Sequence, residues 1–186
     1  MKVLGKLTGK NLEDAHRLAL SIPLTRAVHS GYAPNRVEAW YEYASNLQSI
    51  QSDRAKVWYE KSAPERLAAF GNRHYPGWNS LLICGGQTNI SWHRDHGHFE
   101  AKAVMLNLGE SLYREQPNRG SDKYNEYLLT DGLVVEIDTK LIHSAVQLSD
   151  VRVNITYRKI RSQYMPVDYD TEFDAVAELE FAKYGH

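Results

Sequence analysis

Apolar residues recur at spacings of three and four through the first third of the chain, and at alternate positions through most of the rest. Helices are therefore expected first and strands after them. From Asn11 to Ser21, residues Leu12, Ala15, His16 and Ala19 fall on one side, Asn11 can cap the start and Pro23 stops the run. Arg36 to Gln51 repeats the pattern with Val37, Trp40, Tyr41, Ala44, Leu47 and Ile50, which predicts a second amphipathic helix. A shorter helix is expected from Ser62, where Ser62 and Glu65 make a capping box, to Phe70. Tyr75-Pro76-Gly77 then breaks the chain.

From Trp78 the texture changes to short β-rich runs at 79–84, 90–93, 102–108, 111–116, 125–130, 133–138, 142–147 and 151–160. Asp131-Gly132 lies between the fifth and sixth runs and reads as a hairpin turn. Residues 117–124 form a polar loop, and Asp168 to Tyr184 returns to helical spacing, expected to pack on the outside. No internal repeat, low-complexity tract or linker divides the chain. The pattern predicts one α+β domain over 1–186, a sandwich or barrel braced by N-terminal helices and a C-terminal helix. Residues 1–77 would be helical support or a substrate lid, 78–160 the β core and 161–186 an extension.

Composition narrows the partners. At 186 residues folding buries roughly two-thirds of the chain's surface, so no staple is needed merely to hold a core. Lys and Arg number 22 against 23 Asp and Glu, a net charge of −1. That balance gives no global field to draw in a polyanion, so nucleic-acid binding would need a local basic face. Cys84 is the sole cysteine, which fits a reducing compartment. The opening MKVLGKLTGKN lacks a signal-peptide core, and no run approaches the ~18 apolar residues of a membrane span. A cytoplasmic protein without a membrane partner is expected.

The candidate chemistry centres on Trp92-His93-Arg94-Asp95. Residues two apart in a strand share a face, so His93 and Asp95 can present an imidazole and a carboxylate together. His143, inside LIHSAV, is the candidate third ligand. Two histidines and a carboxylate leave three metal positions open, the arrangement of non-haem Fe(II) oxygenases. Alone these residues also suit satisfied core histidines or, with His96 and His98, a zinc site. Downstream, Arg152, Asn154, Thr156 and Arg158 alternate with Val151, Val153, Ile155 and Tyr157. One face of this strand is then polar and the other apolar. An exposed edge strand would look the same, but two arginines just past a metal ligand suit a small dicarboxylate, because the guanidinium fork pairs bidentately with a carboxylate. Triad and ladder together make a 2-oxoglutarate site.

WNSLLI (78–83), WHRD (92–95), LNLGES (106–111), DGLVVEID (131–138), the His143 segment and RVNITYRKI (152–160) resemble, in that order, the AlkB-like Fe(II)/2-oxoglutarate-dependent dioxygenases. The resemblance spans roughly Trp78 to Ile160 and is most specific in RVNITYRKI. It implies a double-stranded β-helix (jelly roll), with His93, Asp95 and His143 as iron ligands and Fe(II), 2-oxoglutarate and O2 as cofactor and cosubstrates. By the same match Arg152 and Arg158 would bind the two carboxylate ends of 2-oxoglutarate and Asn154 would assist.

The chain departs from that pattern in two places. Cys84 and Gly86 stand where the family usually carries an Asn-x-Tyr pair that touches 2-oxoglutarate, and His96-Gly97-His98 stands where repair enzymes carry an acidic base reader. Two substrate classes remain open. An alkylated nucleobase would use aromatic platforms from Trp40, Tyr41, Tyr43, Trp58, Tyr59 and Trp78, with Arg54, Lys56, Arg66 and Arg73 nearby. A small molecule, amino acid or peptide side chain would meet Tyr113, Arg114, Arg119, Tyr124 and Tyr127. The missing acidic reader and the neutral charge favour the second class. A non-catalytic or zinc-binding jelly-roll module is the remaining alternative.

Overall fold

A computed structural model describes residues 1–26, 33, 35–46, 56–86, 89–118 and 120–166. The chain opens with strand β1 (Lys2–Lys6), helix α1 (Gly9–Ser21), β2 (Thr25–Arg26), β3 (Val37–Asn46), β4 (Lys56–Lys61) and helix α2 (Glu65–His74). There follow β5 (Ser80–Gly85), β6 (Ile90–His93), β7 (Phe99–Leu108), β8 (Ser111–Gln116), β9 (Asn125–Leu129), β10 (Leu133–Asp138), β11 (Ile142–Gln147) and β12 (Val153–Ile160). A 3-10 turn over Ser162–Tyr164 comes last among the described residues. All eight strands expected after Trp78 form, and β7 begins earlier than the predicted 102–108. The predicted helix at Asp168–Tyr184 lies outside the described residues.

The strands make two antiparallel sheets. The larger runs β1-β10-β7-β12-β5-β3-β2, with β4 paired to β3, and the smaller runs β6-β11-β8-β9. Side-chain alternation divides the larger sheet cleanly. Leu81 and Ile83 of β5, Val104 and Leu106 of β7, and Ile155 and Tyr157 of β12 pack outward under Ala19 of α1 and Leu67 of α2. Ala103 and Met105 of β7 and Val135 and Ile137 of β10 point inward, against Tyr113 of β8 and Leu129 of β9. Two facing sheets with helices on one outer face give the jelly-roll core.

The first third corrects the helical expectation. Arg36–Gln51 is not a helix; over its described part it is Arg36 followed by all of β3, bonded to β5, β2 and β4. The reason is a bulge. Ala39 and Tyr41 are buried, the register shifts at Glu42, where φ is +56°, and the next buried residue is Ala44. That change of phase imitates spacings of three and four in a strand. The predicted caps also move. Thr8 and Pro64 precede α1 and α2 without side-chain caps, while the Ser62 hydroxyl meets Tyr59 Oη at 2.6 Å. Nor does Asp131-Gly132 close a hairpin. It carries the chain from β9 in the small sheet to β10 in the large one, with Gly132 at φ +77°. The Asp131 carboxylate accepts from Gly109 N (2.9 Å) and meets His16 Nε2 (2.8 Å), tying α1 to both turns. Among the described residues no helix is long and apolar enough to cross a membrane.

Candidate metal centre

β6 and β11 are neighbours in the small sheet, and His93 pairs with His143 across them. Directly opposed residues project from the same face, so the two rings meet with centroids 4.3 Å apart. Asp95 lies two residues beyond the end of β6, its N–H donating to Thr139 O at 3.2 Å. Its Oδ1 stands 3.7 Å from His93 Nε2 and 3.6 Å from His143 Nε2. The ligand atoms of the three residues lie within 4.8 Å of one another.

Each imidazole is oriented through its other nitrogen. His93 Nδ1 is 2.9 Å from Ser91 O, and His143 Nδ1 is 3.0 Å from Leu141 O. A carbonyl only accepts, so each Nδ1 carries a proton, and the two Nε2 atoms face Asp95 Oδ1. Burial, with His143 beside it, pushes the His93 imidazole down to about 4, so it is neutral at pH 7. Burial alone would raise the Asp95 carboxyl, but the Arg158 guanidinium and both imidazoles hold it at about 2. The set is two imidazole nitrogens and one anionic oxygen, with Arg158 Nε donating to Asp95 Oδ2 at 2.9 Å. This donor set suits a divalent transition metal with positions left open.

The arginine ladder sits beside it. β12 is not an edge strand but lies between β7 and β5, so its polar face is buried against the small sheet. Arg152, Asn154 and Thr156 are each 7% exposed or less, and the apolar face packs under the helices. A cavity of about 80 Å³ between the sheets is lined by His93, Asp95 and His143 and by Arg152, Asn154, Thr156 and Arg158. Arg152 Nε, Asn154 Oδ1 and Arg158 Nη1 are buried there without hydrogen-bond partners. Burial also pulls the Arg152 guanidinium down to about 10. Unpaired buried polar atoms cost roughly 1–3 kcal/mol each, and two of the three are guanidinium N–H donors, which mark a place built for an anion.

No protein-family model matches the chain, and no curated protein matches it by sequence. Solved structures do match in shape. OsALKBH1 superposes with a TM-score of 0.59 at 14% identity, over 84% of this chain and 95% of that one. An oxidoreductase of the 2OG-Fe(II) oxygenase family from Burkholderia pseudomallei gives 0.51 at 15%, over 82% and 78%. The chain has the AlkB-like 2OG-Fe(II) oxygenase fold.

Within this AlkB-like fold the other candidates scatter. His96 and His98 stack on each other at 4.1 Å, but His98 Nε2 engages Ser45 Oγ and neither joins the triad. Among the described residues the four-histidine zinc arrangement therefore does not assemble. Tyr113 lines the cavity, 5.8 Å from the His143 ring. Arg114 pairs with Glu126, Tyr127 Oη donates to Glu115, and exposed Tyr124 packs edge-on to Trp92. Trp58 and Tyr59 are exposed on β4, Tyr41 is buried, and Trp78 packs on Tyr157. Arg66 and Arg73 face the groove between α1 and α2, on the other side of the large sheet from the cavity. Arg54, Arg119 and the side chain of Lys56 lie outside the described residues. The sequence reading missed Arg36 and Glu38. Their alternation with Trp40, in a stretch rich in aromatic and β-branched residues, was the available signal for a strand.

Proposed function

We propose that the chain is an Fe(II)- and 2-oxoglutarate-dependent dioxygenase that hydroxylates a C–H bond of a second substrate. What carries the reading is one cavity that holds both a His-Asp-His donor set and buried, unpartnered guanidinium and amide groups. His93, Asp95 and His143 would hold the metal. Arg152 and Asn154 would hold the far carboxylate of 2-oxoglutarate. Arg158, fixed to Asp95 through Nε, would offer its remaining N–H groups to the near end. The bound iron supplies activation of O2. In balance, one oxygen atom enters succinate as CO2 leaves, and the other becomes the hydroxyl of the product. When the hydroxylated carbon sits on nitrogen, the product collapses to formaldehyde and a free N–H.

The chain's own residues do three things. Arg158 keeps Asp95 ionised and aimed, the two backbone carbonyls orient the imidazole rings, and Arg152 and Asn154 present their polar groups to the cavity. A small-molecule, amino-acid or peptide substrate is the favoured class. The basic residues Arg66 and Arg73 are turned away from the cavity, and no acidic side chain follows Asp95 before Glu100. A cytoplasmic setting accords with the lone cysteine. The test is succinate release from Fe(II), 2-oxoglutarate and O2, with panels of amino acids and peptides and of methylated oligonucleotides. Stimulation by the first panel supports the reading. Stimulation by oligonucleotides with formaldehyde release would move the substrate to an alkylated base. No succinate from iron-loaded protein would overturn the function.

A further inference from the structure

β3 brings a third arginine to the cavity. Arg36 stands just before β3, and Arg36, Glu38 and Trp40 alternate along one face. The register places Glu38 opposite Cys84 and Cys84 opposite Asn154, so this face of β3 continues the polar face of β12 across β5. Arg36 lines the cavity together with Cys84, Arg152 and Asn154. The guanidinium is held from behind. Its Nη2 lies 2.7 Å from Glu38 Oε2, and Trp40 Nε1 donates to Glu38 Oε1 at 3.2 Å. Arg36 Nε, like Arg152 Nε, is buried without a hydrogen-bond partner.

The backbone just past the end of β5 leaves room for this delivery. Gly86 adopts φ +97°, and a Cβ there would lie 2.8 Å from Asn35 O. A side chain at 86 is therefore excluded, and the segment that carries Arg36 occupies its place. Arg36 and Arg152 thus bring two positively charged forks to one cavity, and one carboxylate, Glu38, offsets a single charge.

We infer that Arg36 is the second arm of a two-arginine clamp that, with Arg152, binds the distal carboxylate of the keto-acid and sets the preference for a dicarboxylate. The inference rests on the 2-oxoglutarate reading of the cavity. Glu38 is a positioning residue that holds the Arg36 fork toward the cavity. Replacing the fork should cost affinity for a ligand with a distal carboxylate and leave a ligand without one untouched.

The experiment is anaerobic calorimetric titration of the Mn(II)-loaded full chain with 2-oxoglutarate and with 2-oxobutyrate, which lacks the distal carboxylate. Wild type, Arg36→Gln and Arg36→Lys are compared, and Mn(II) affinity is measured for each. The expected result is at least a tenfold loss of 2-oxoglutarate affinity in Arg36→Gln and a smaller loss in Arg36→Lys. Affinities for 2-oxobutyrate and Mn(II) should stay within twofold of wild type. Equal losses for both keto-acids, or no loss for either, overturn the clamp while leaving the 2-oxoglutarate site standing. Wild type that binds Mn(II) but not 2-oxoglutarate overturns the functional reading itself. Should Arg36→Gln fail to fold, the Arg36→Lys ratio between the two keto-acids decides alone, and an unchanged ratio overturns the clamp.

Discussion

Replacing Arg152 with methionine should make the ligand-free protein more stable and the ligand-binding protein worse. Arg152 is 7% exposed, its Nε lacks a hydrogen-bond partner, and burial holds its guanidinium at about 10. At about 1.4 kcal/mol per tenfold change, that depression from the ordinary arginine range corresponds to roughly 3 kcal/mol of disfavoured charge. A base whose folded pKa is depressed carries this cost at every pH below that value and sheds it only as pH rises through about 10. At pH 7 the cost is therefore fully present. Methionine fills a similar length without the charge, so unfolding free energy should rise by about 1–3 kcal/mol. For a chain of this size the unfolding midpoint would rise by roughly 2–10 °C. The same change removes a charge-assisted fork worth about 1.5–3 kcal/mol, so 2-oxoglutarate should bind at least tenfold more weakly. Arg152→Lys keeps the charge, loses the fork and should also lose more than tenfold. Urea unfolding of the metal-free proteins and calorimetry with Mn(II) and 2-oxoglutarate read the two halves. An Arg152→Met protein less stable than wild type would refute the uncompensated charge, and unchanged 2-oxoglutarate affinity would refute the carboxylate assignment.

Three further outcomes follow from the packing. Tyr157→Phe removes a buried hydroxyl that donates to Leu67 O at 2.9 Å, and should lower stability by about 1 kcal/mol, a midpoint drop of roughly 2–4 °C by calorimetry. Gly71→Ala places a Cβ 2.5 Å from Trp78 Nε1 and 2.6 Å from Tyr157 Cε1. The clash should outweigh the gain in helix propensity, with a net loss of about 1–3 kcal/mol in urea unfolding and a shifted tryptophan emission. Burial alone would raise the Asp131 carboxyl, yet the Gly109 N–H and His16 hold it below its ordinary range. A carboxylate depressed on folding stabilises above its unfolded pKa of about 3.9, and that stabilisation is lost as pH falls. Asp131→Asn should therefore be destabilised relative to wild type at pH 7, with the gap closing below about pH 4. A pH-independent gap in urea midpoints would contradict this.

The β core was legible because its strands alternate within themselves. The ladder from Arg152 to Arg158 declared a two-faced strand, and its burial between β7 and β5 is what separates a binding face from a solvated edge. Sequence spacing could suggest that His93 and Asp95 share a face, but the cross-strand pairing of His93 with His143 is a matter of topology. β3 was unreadable for a definite reason. Its bulge at Glu42 shifts the buried positions from 39 and 41 to 44, and the resulting spacing matches a helix better than a strand. Arg36 was lost with it. The Asp131-Gly132 turn misled in another way, because its local chemistry fixes a tight turn and not which sheet the next strand joins.

The central claim is that His93, Asp95 and His143 hold Fe(II) so that 2-oxoglutarate can chelate it in the same cavity. The direct measurement is the visible spectrum of the protein titrated anaerobically with Fe(II) and then 2-oxoglutarate. Wild type should develop a weak metal-to-keto-acid charge-transfer band, and His93→Ala should lose it while remaining folded. Iron-loaded wild type that shows no band, or a His93→Ala protein that keeps the full band, would contradict the claim.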